Sequence, residues 1–284
     1  MKRSMCGGCF PGMNFDQLFA KAKELGLECI ELGLDEQGAN SITPESDEST
    51  YAKIREAAQK YGIETSSITT SLYNVWKASF GSPKGSKKYE DALKILRKQI
   101  EAAKGIGADT ILVVTNIDAD TGYVNSIENT IATFRELEEE IKASGITIAL
   151  ENITNQFFMS PYDVKYVIEK IDNPLVRFYF DAGNVLEFSP IEFWIDAVGK
   201  YIQRVHIKDF LPKPSKYTIY NIGGTWPDLL EGSLDFEMLI TKLQEIGYDG
   251  PITAEVGNSK PERSWDDFLK DNCVALDKIV KMAN

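Results

Sequence analysis

Short apolar runs alternate along the chain with longer stretches in which apolar residues return every three or four positions. Eight runs have strand-like length: Ser4–Cys9, Cys29–Leu32, Thr65–Thr69, Thr110–Val114, Thr147–Leu150, Arg177–Phe180, Arg204–Ile207 and Ile252–Val256. Several are rich in β-branched or aromatic residues, which suit buried strands. The stretches between them predict helices over Phe15–Leu25, Tyr51–Tyr61, Tyr89–Ile106, Val124–Ala143, Pro161–Ile171, Pro190–Val198, Phe236–Ile246 and Trp265–Met282. In Tyr89–Ile106 the residues Ala92, Leu93, Leu96, Ile100 and Ala103 share one helical face. Gly26, Gly62, Gly107, Gly145 and Gly247 each follow a helical pattern, where a left-handed end residue is wanted. Ser160-Pro161 and Ser189-Pro190 each read as a helix cap followed by a first-turn proline.

Strand then helix, repeated with short returns, means parallel strands joined by right-handed crossovers. Eight such units in 284 residues fit a closed (β/α)₈ barrel better than an open sheet. No linker divides the chain, so residues 1–284 are expected to form one domain. The first strand lacks a following G-x-G-x-x-G, which removes support for a dinucleotide site. Three irregular stretches, Leu34–Glu48, Tyr73–Ser86 and Phe210–Gly232, all follow strands. In a barrel they crowd the C-terminal face, where such enzymes work.

Charge narrows the partners. Lys and Arg number 31 against 43 Asp and Glu, a net charge of −12, and no basic block interrupts the acidity. Phosphate contacts need a basic surface, so nucleic acid and anionic membrane surfaces are excluded as partners. No apolar run approaches the roughly 18 residues of a membrane span. The start, MKRSMCGGCFPGM, lacks the apolar core of a signal peptide, so a cytoplasmic location is expected. Four cysteines are too sparse for a disulfide scaffold. Cys6-Gly-Gly-Cys9 lacks a second ligand pair for zinc and is followed by Phe10-Pro11-Gly12 rather than a helix start, so it reads as structural.

Candidate chemistry gathers at the ends of the last four strands. The fifth run leads into Glu151, the sixth into Asp181, the seventh carries His206 and the eighth Glu255. In a barrel these positions point into one mouth. Each alone has a plain structural reading: an acid can cap the next helix, and a lone histidine can be a hydrogen-bonded core residue. As a set they suit one divalent ion, Mn²⁺, Mg²⁺, Co²⁺ or Zn²⁺, because grouped buried carboxylates need a neutralising cation.

These residues sit inside a series of motifs: Glu151-Asn152, Asp181-Ala182-Gly183-Asn184, His206-Ile207-Lys208-Asp209, Gly232-Ser233-Leu234-Asp235-Phe236, and Gly247 through Glu255. Five in order resemble the xylose isomerase-like family of TIM-barrel sugar isomerases and epimerases, the ketose 3-epimerases among them, across almost the whole chain. The resemblance implies a metal held by Glu151, Asp181, His206 and Glu255, a sugar bound through adjacent oxygens, and proton transfer by Glu151 and Glu255. A metal on a carbonyl and its neighbouring hydroxyl acidifies the C–H between them and stabilises the enediolate. A carboxylate on each face of that carbon can remove a proton and return one. Relatives often assemble as dimers or tetramers, so a homodimer or homotetramer is implied.

Two positions depart from the family pattern. Asn184 stands where a histidine is usual, and Phe157 where ketose epimerases carry a glutamate six residues after the first metal ligand. They point to an altered substrate or altered chemistry. A lyase or dehydratase of a keto-sugar or keto-polyol, and a barrel that binds sugar without turning it over, therefore stand as alternatives. One histidine excludes the histidine-rich trinuclear zinc site of the apurinic endonucleases and the second metal site of aldose isomerases. Asn184, Lys208, Asp209, Glu31, Asn116 and Trp226 are candidate substrate contacts, Glu31 with an equal reading as a salt-bridge or cap residue. Lys208 is unsuited to Schiff-base chemistry, since the carboxylates around it would raise its pKa. Tyr73, Trp76 and Trp226 could stack on a sugar ring or anchor their loops, and Gly223-Gly224 is a weak phosphate cradle.

Overall fold

The fold comes from a computed structural model that describes residues 1–155, 157–213 and 223–282. Eight parallel strands form its centre: β1 Lys2–Cys6, β2 Cys29–Leu34, β3 Glu64–Thr70, β4 Thr110–Val114, β5 Thr147–Glu151, β6 Val176–Asp181, β7 Ile202–Ile207 and β8 Pro251–Ala254. Each pairs with the next, and β1 pairs with both β8 and β2, which closes the ring. The helices around it are α1 Phe15–Glu24, α2 Glu48–Tyr61, α3 Lys87–Ile106, α4 Tyr123–Glu136, α5 Glu138–Ser144, α6 Pro161–Ile171, α7 Ile191–Val198, α8 Phe236–Glu245 and α9 Trp265–Lys281. The fold is a (β/α)₈ barrel, as the alternating pattern predicts.

Local sequence sets the boundaries. Ser86 opens α3 by accepting the Tyr89 N–H, and Gly107 ends it at φ +81°, a conformation that disfavours any residue with a Cβ. Ser160 and Asp163 form a reciprocal capping box at α6, with Pro161 in its first turn.

Three expectations need correction. Ser189 does not cap α7: Pro190 takes the cap position without a side-chain hydrogen bond, and the helix begins at Ile191. The first strand runs Lys2–Cys6 rather than Ser4–Cys9, because Gly7–Cys9 turns into a short 3₁₀ segment. The stretch Val124–Ala143 is two helices. It breaks at Leu137, and Glu138, Glu139 and Glu140 occupy the first turn of α5, where the helix dipole favours acids.

The strand period of two sorts the side chains. On β6, Val176, Phe178 and Phe180 are buried, and Phe178 and Phe180 pack with each other while Phe178 also meets Trp194 of α7. Burying a ring of this size contributes about 1.5–3 kcal/mol. The alternate residues, Tyr179 and Asp181, turn into the barrel. On β7 the inward residues are Arg204 and His206, with Lys208 next in phase beyond the strand. The barrel interior is therefore a polar stack. Arg204 reaches the Ser66 carbonyl and Asp109 at its floor. His206 lies at mid-height against Glu31, and Lys208 at the mouth. No helix among the described residues is long and apolar enough to cross a membrane.

The loops after the strands are packed rather than open. Asn40 donates to the carbonyls of Gly7 and Phe10 and ties the loop after β2 to that after β1. Residues 214–222 of the third irregular stretch, Phe210–Gly232, lie outside the described residues. Its two ends meet in a small antiparallel ribbon, Leu211–Pro212 against Gly224–Thr225.

Candidate metal centre

Glu151 and Asp181 are the last residues of β5 and β6, and strand pairing sets Asp181 beside His206. Glu255 follows β8 directly, and its N–H still donates to the Ile207 carbonyl. His206 Nδ1 is the hub: Glu151 Oε1 lies 3.2 Å away, Glu255 Oε2 3.7 Å and Asp181 Oδ2 4.0 Å. One donor atom from each of the four residues lies within 4.8 Å of the others. The Asp181, Glu151 and His206 side chains are buried, whereas that of Glu255 is 43% exposed and opens to the mouth.

The backbone around Asp181 is braced by Asn152. Its side-chain oxygen accepts the Asp181 N–H at 2.9 Å, and its amide donates to the Asp181 carbonyl at 2.8 Å. Asp181 Oδ1 accepts the Asn184 N–H at 2.9 Å. Asp181 Oδ2 is buried without an aligned hydrogen bond, although the Lys208 ammonium stands 2.8 Å from it. Lys208 also touches Glu255 Oε2 and lies 5.5 Å from the ring centre of Trp226, which packs on Phe210. Gly183 makes room for this lysine: a Cβ there would meet Lys208 Cγ at 2.3 Å.

The donor chemistry tests whether an ion fits. Burial raises the Glu151 pKa to about 7, with the charges of Glu255 and Asp181 adding to it against the opposing pull of the neighbouring His206. Burial and the charge of Glu255 raise that of Asp181 despite Lys208. Burial opposes the Glu255 charge as well, but Lys208 and His206 outweigh it and its pKa falls. Three carboxylates this close repel one another, and Lys208 is the one nearby ammonium within contact among the described residues. An oxygen-rich cage with one nitrogen suits a divalent cation.

Residues 19–272 match the model of the xylose isomerase-like TIM barrel family. The chain belongs to the xylose isomerase-like TIM barrel family. Over 188 residues it is 27% identical to an uncharacterized protein of Methanocaldococcus jannaschii, a match covering 63% of this chain and 61% of that one. It is also 25% identical over 209 residues to the probable L-ribulose-5-phosphate 3-epimerase of Mycoplasma pneumoniae, covering 72% of this chain and 67% of the relative. A D-psicose 3-epimerase solved in the presence of D-fructose superposes with a TM-score of 0.78 at 14% identity, covering 100% of this chain and 99% of that one. A xylose isomerase-like TIM barrel protein from Mycobacterium smegmatis, solved in complex with magnesium, gives 0.72 at 17% identity, with 100% and 98% covered. At these identities the structural likeness is one of family fold.

Within that family frame the remaining sequence candidates divide. Lys208 and Trp226 reach the mouth beside the cage. Glu31 does not: it lies fully buried beneath His206, with both oxygens taken by side chains. Asp209 is buried too, and its carboxylate accepts the N–H groups of Phe210, Gly232 and Leu234, so it ties down the loop after β7. Asn184 sits on the short helix Ala182–Val185 and donates its amide to the Asn152 carbonyl at 3.0 Å. Asn116 bonds to Asn155 and the Ala78 carbonyl. Phe157 is buried against Phe158. Tyr73, read as a possible stacking ring, is instead a core residue, its hydroxyl donating to Gln99. Trp76 donates to Glu36. At the opposite, N-terminal face lies a cleft of about 780 Å³, where Lys2 and Arg204 are paired with Glu64 and Asp109.

Sequence reasoning missed Tyr179 and Ser67 as parts of the site; it quoted Asn152 only as a motif residue without its bracing role, and weighed Cys6 only within the Cys6–Cys9 pair. A usable signal existed: Tyr179 and Cys6 occupy inward positions of their strands, where an apolar filler is the ordinary choice.

Proposed function

We propose that this chain is a divalent-metal-dependent isomerase or epimerase of a ketose or ketose derivative, with residues 1–284 acting as one domain. The observation that carries the proposal is the convergence of Glu151, Asp181, His206 and Glu255, from four successive strands, on one point at the barrel mouth. These four would hold the ion, and Mn²⁺, Mg²⁺ or Co²⁺ suits their oxygen-rich set better than Zn²⁺. When bound, such an ion supplies positive charge that polarises adjacent sugar oxygens and stabilises the charge left when a C–H proton departs. The relatives named as epimerases of L-ribulose 5-phosphate and D-psicose support a ketose substrate.

The protein's own groups do the remaining work. Glu151 and Glu255 come from the two ends of the run β5 to β8, so they approach the cage from different strands. One takes the proton from the carbon next to the carbonyl; the other returns a proton to the opposite face of that carbon in epimerisation, or a proton is returned to the former carbonyl carbon in isomerisation. Lys208 meets a substrate oxygen at the mouth, and the Trp226 ring, 36% exposed above it, shields the reacting carbon from water.

A panel of ketoses and their phosphates in D₂O, with Mn²⁺ added, tests this reading. Deuterium enters a substrate carbon without loss of water mass, and Glu151→Gln or Glu255→Gln slows entry by about 10²- to 10⁴-fold. Loss of water from the sugar would make the chain a lyase. Absence of exchange across the panel would make it a sugar-binding barrel.

A further inference from the structure

The proposed reaction makes no use of the polar layer beneath the cage. Its centre is Glu31 on β2, with no solvent exposure. Glu31 Oε2 accepts the Ser67 hydroxyl at 2.6 Å and the Tyr179 hydroxyl at 2.6 Å. Glu31 Oε1 faces His206 Nε2 at 2.7 Å and accepts the Cys6 thiol at 3.2 Å. An ionised carboxylate offers about four acceptor positions and no donor. All four are filled, and the His206 contact requires a proton on Nε2. The other nitrogen of the ring, Nδ1, is the one that faces Glu151, Glu255 and Asp181. The Tyr179 ring packs against the imidazole, with ring centroids 4.5 Å apart.

We infer that Glu31 is a positioning residue for His206, which holds the imidazole as its Nε2–H tautomer and so presents a bare Nδ1 to the metal. The two nitrogens of a histidine are distinct, and the partner of one decides the use of the other. Glu31 is thereby removed from substrate contact: it is enclosed, and a sugar hydroxyl would find no free oxygen on it. A second metal site made of Cys6, Glu31 and His206 is the competing reading, since their donor atoms also lie within 4.8 Å of one another. Geometry speaks against it, because Nε2 and Oε1 are already joined at hydrogen-bond distance.

The inference rests on the proposed metal centre for its purpose but not for its readout. His206 is the only histidine in the sequence, so its imidazole ¹⁵N signals need no assignment. Long-range ¹H–¹⁵N spectra are recorded for the whole chain, first metal-free at a pH that neutralises the ring, then with Zn²⁺ as a diamagnetic probe. The wild type shows Nε2–H in both states, with Nδ1 shifted by the metal. In Glu31→Gln, one carboxamide oxygen must serve four donors, so the metal-free ring becomes a mixture of tautomers and calorimetric Zn²⁺ affinity falls about 10- to 100-fold. Tyr179→Phe removes one hydroxyl and keeps the Glu31–His206 bond. It retains the Nε2–H tautomer and so separates ring positioning from general damage to the layer.

A wild-type ring bound through Nε2 would overturn the inference while leaving the metal centre intact. So would a Glu31→Gln protein that keeps pure Nε2–H and wild-type affinity, or a stoichiometry of two Zn²⁺. A wild type that holds Nε2–H yet binds no metal would instead leave the tautomer assignment standing and sink the functional proposal.

Discussion

At the scale of single residues, the site is a problem in charge. Lys208 is the ammonium that compensates Asp181 and Glu255, and their charges raise its pKa well above the usual lysine range even though burial pulls the other way. A divalent ion entering the same cage must compete with it. At an effective dielectric constant near 20, two unit charges about 4 Å apart interact by about 4 kcal/mol. Lys208→Met is therefore predicted to bind Mn²⁺ at least about tenfold more tightly by calorimetry, since tenfold needs only about 1.4 kcal/mol. The same variant should show a higher KM if Lys208 also meets substrate. Unchanged or weaker Mn²⁺ binding would remove Lys208 from the charge balance. The four candidate ligands were legible in the sequence because each stands at or just beside the end of a strand. Depth was not legible. The apolar run suggests that β2 stops at Leu32, which would put Glu31 at the rim, but the strand continues to Leu34 and leaves Glu31 one layer down. The orientation of Asn184 was not legible either: Asp181 is a readable cap for helix Ala182–Val185, but the bond from the Asn184 amide to the Asn152 carbonyl links two strand ends and leaves no trace in local sequence.

At the scale of elements, anchors matter more than propensity. Asp209 holds three backbone N–H groups of the loop after β7 from inside the protein. Asp209→Asn turns one acceptor into a donor facing a donor, which costs about 1–3 kcal/mol for the unsatisfied group. Thermal melts should show the loss, and proteolysis should cut first between Phe210 and Gly232. Ser160→Ala, at the start of α6, should cost about 1 kcal/mol in urea unfolding, because the Asp163 N–H loses its partner. The existence and order of the long outer helices followed from apolar spacing and the glycines at their ends, while the single turn Ala182–Val185 did not. The break at Leu137 did not, because the apolar positions stay in phase across it and only the acidic triplet betrays a new start.

At the scale of the whole molecule, stability should track the ion and the pH. A ligand that binds only the folded state at about 100 times its Kd adds about 2.7 kcal/mol. Mn²⁺ should therefore raise Tm and a chelator reverse it; a Tm indifferent to both would count against the metal centre. Asp118 provides the acid limb. Burial raises its pKa, but Lys88, Ser82 and the Asp120 N–H overcome burial and bring it to about 2, below its ordinary value of 3.8. Because the folded value is depressed, its contribution is complete above about pH 4 and is withdrawn as pH falls toward 2. The urea midpoint should decline over that window, and Asp118→Asn should flatten the decline.

Strand β7 joins these scales, since its inward phase carries Arg204 to the floor, His206 to the middle and Lys208 to the top of the same interior. A slip of one residue would throw all three outward together. Such a chain would take the cation from Asp109 at the exposed floor and, more costly, leave the buried Glu31 and Asp181 without theirs at two different heights. Mispairing of this strand thus has no half-wrong version, and insertions or deletions within Ile202–Ile207 should be far less tolerated than the same changes in its neighbours' loops.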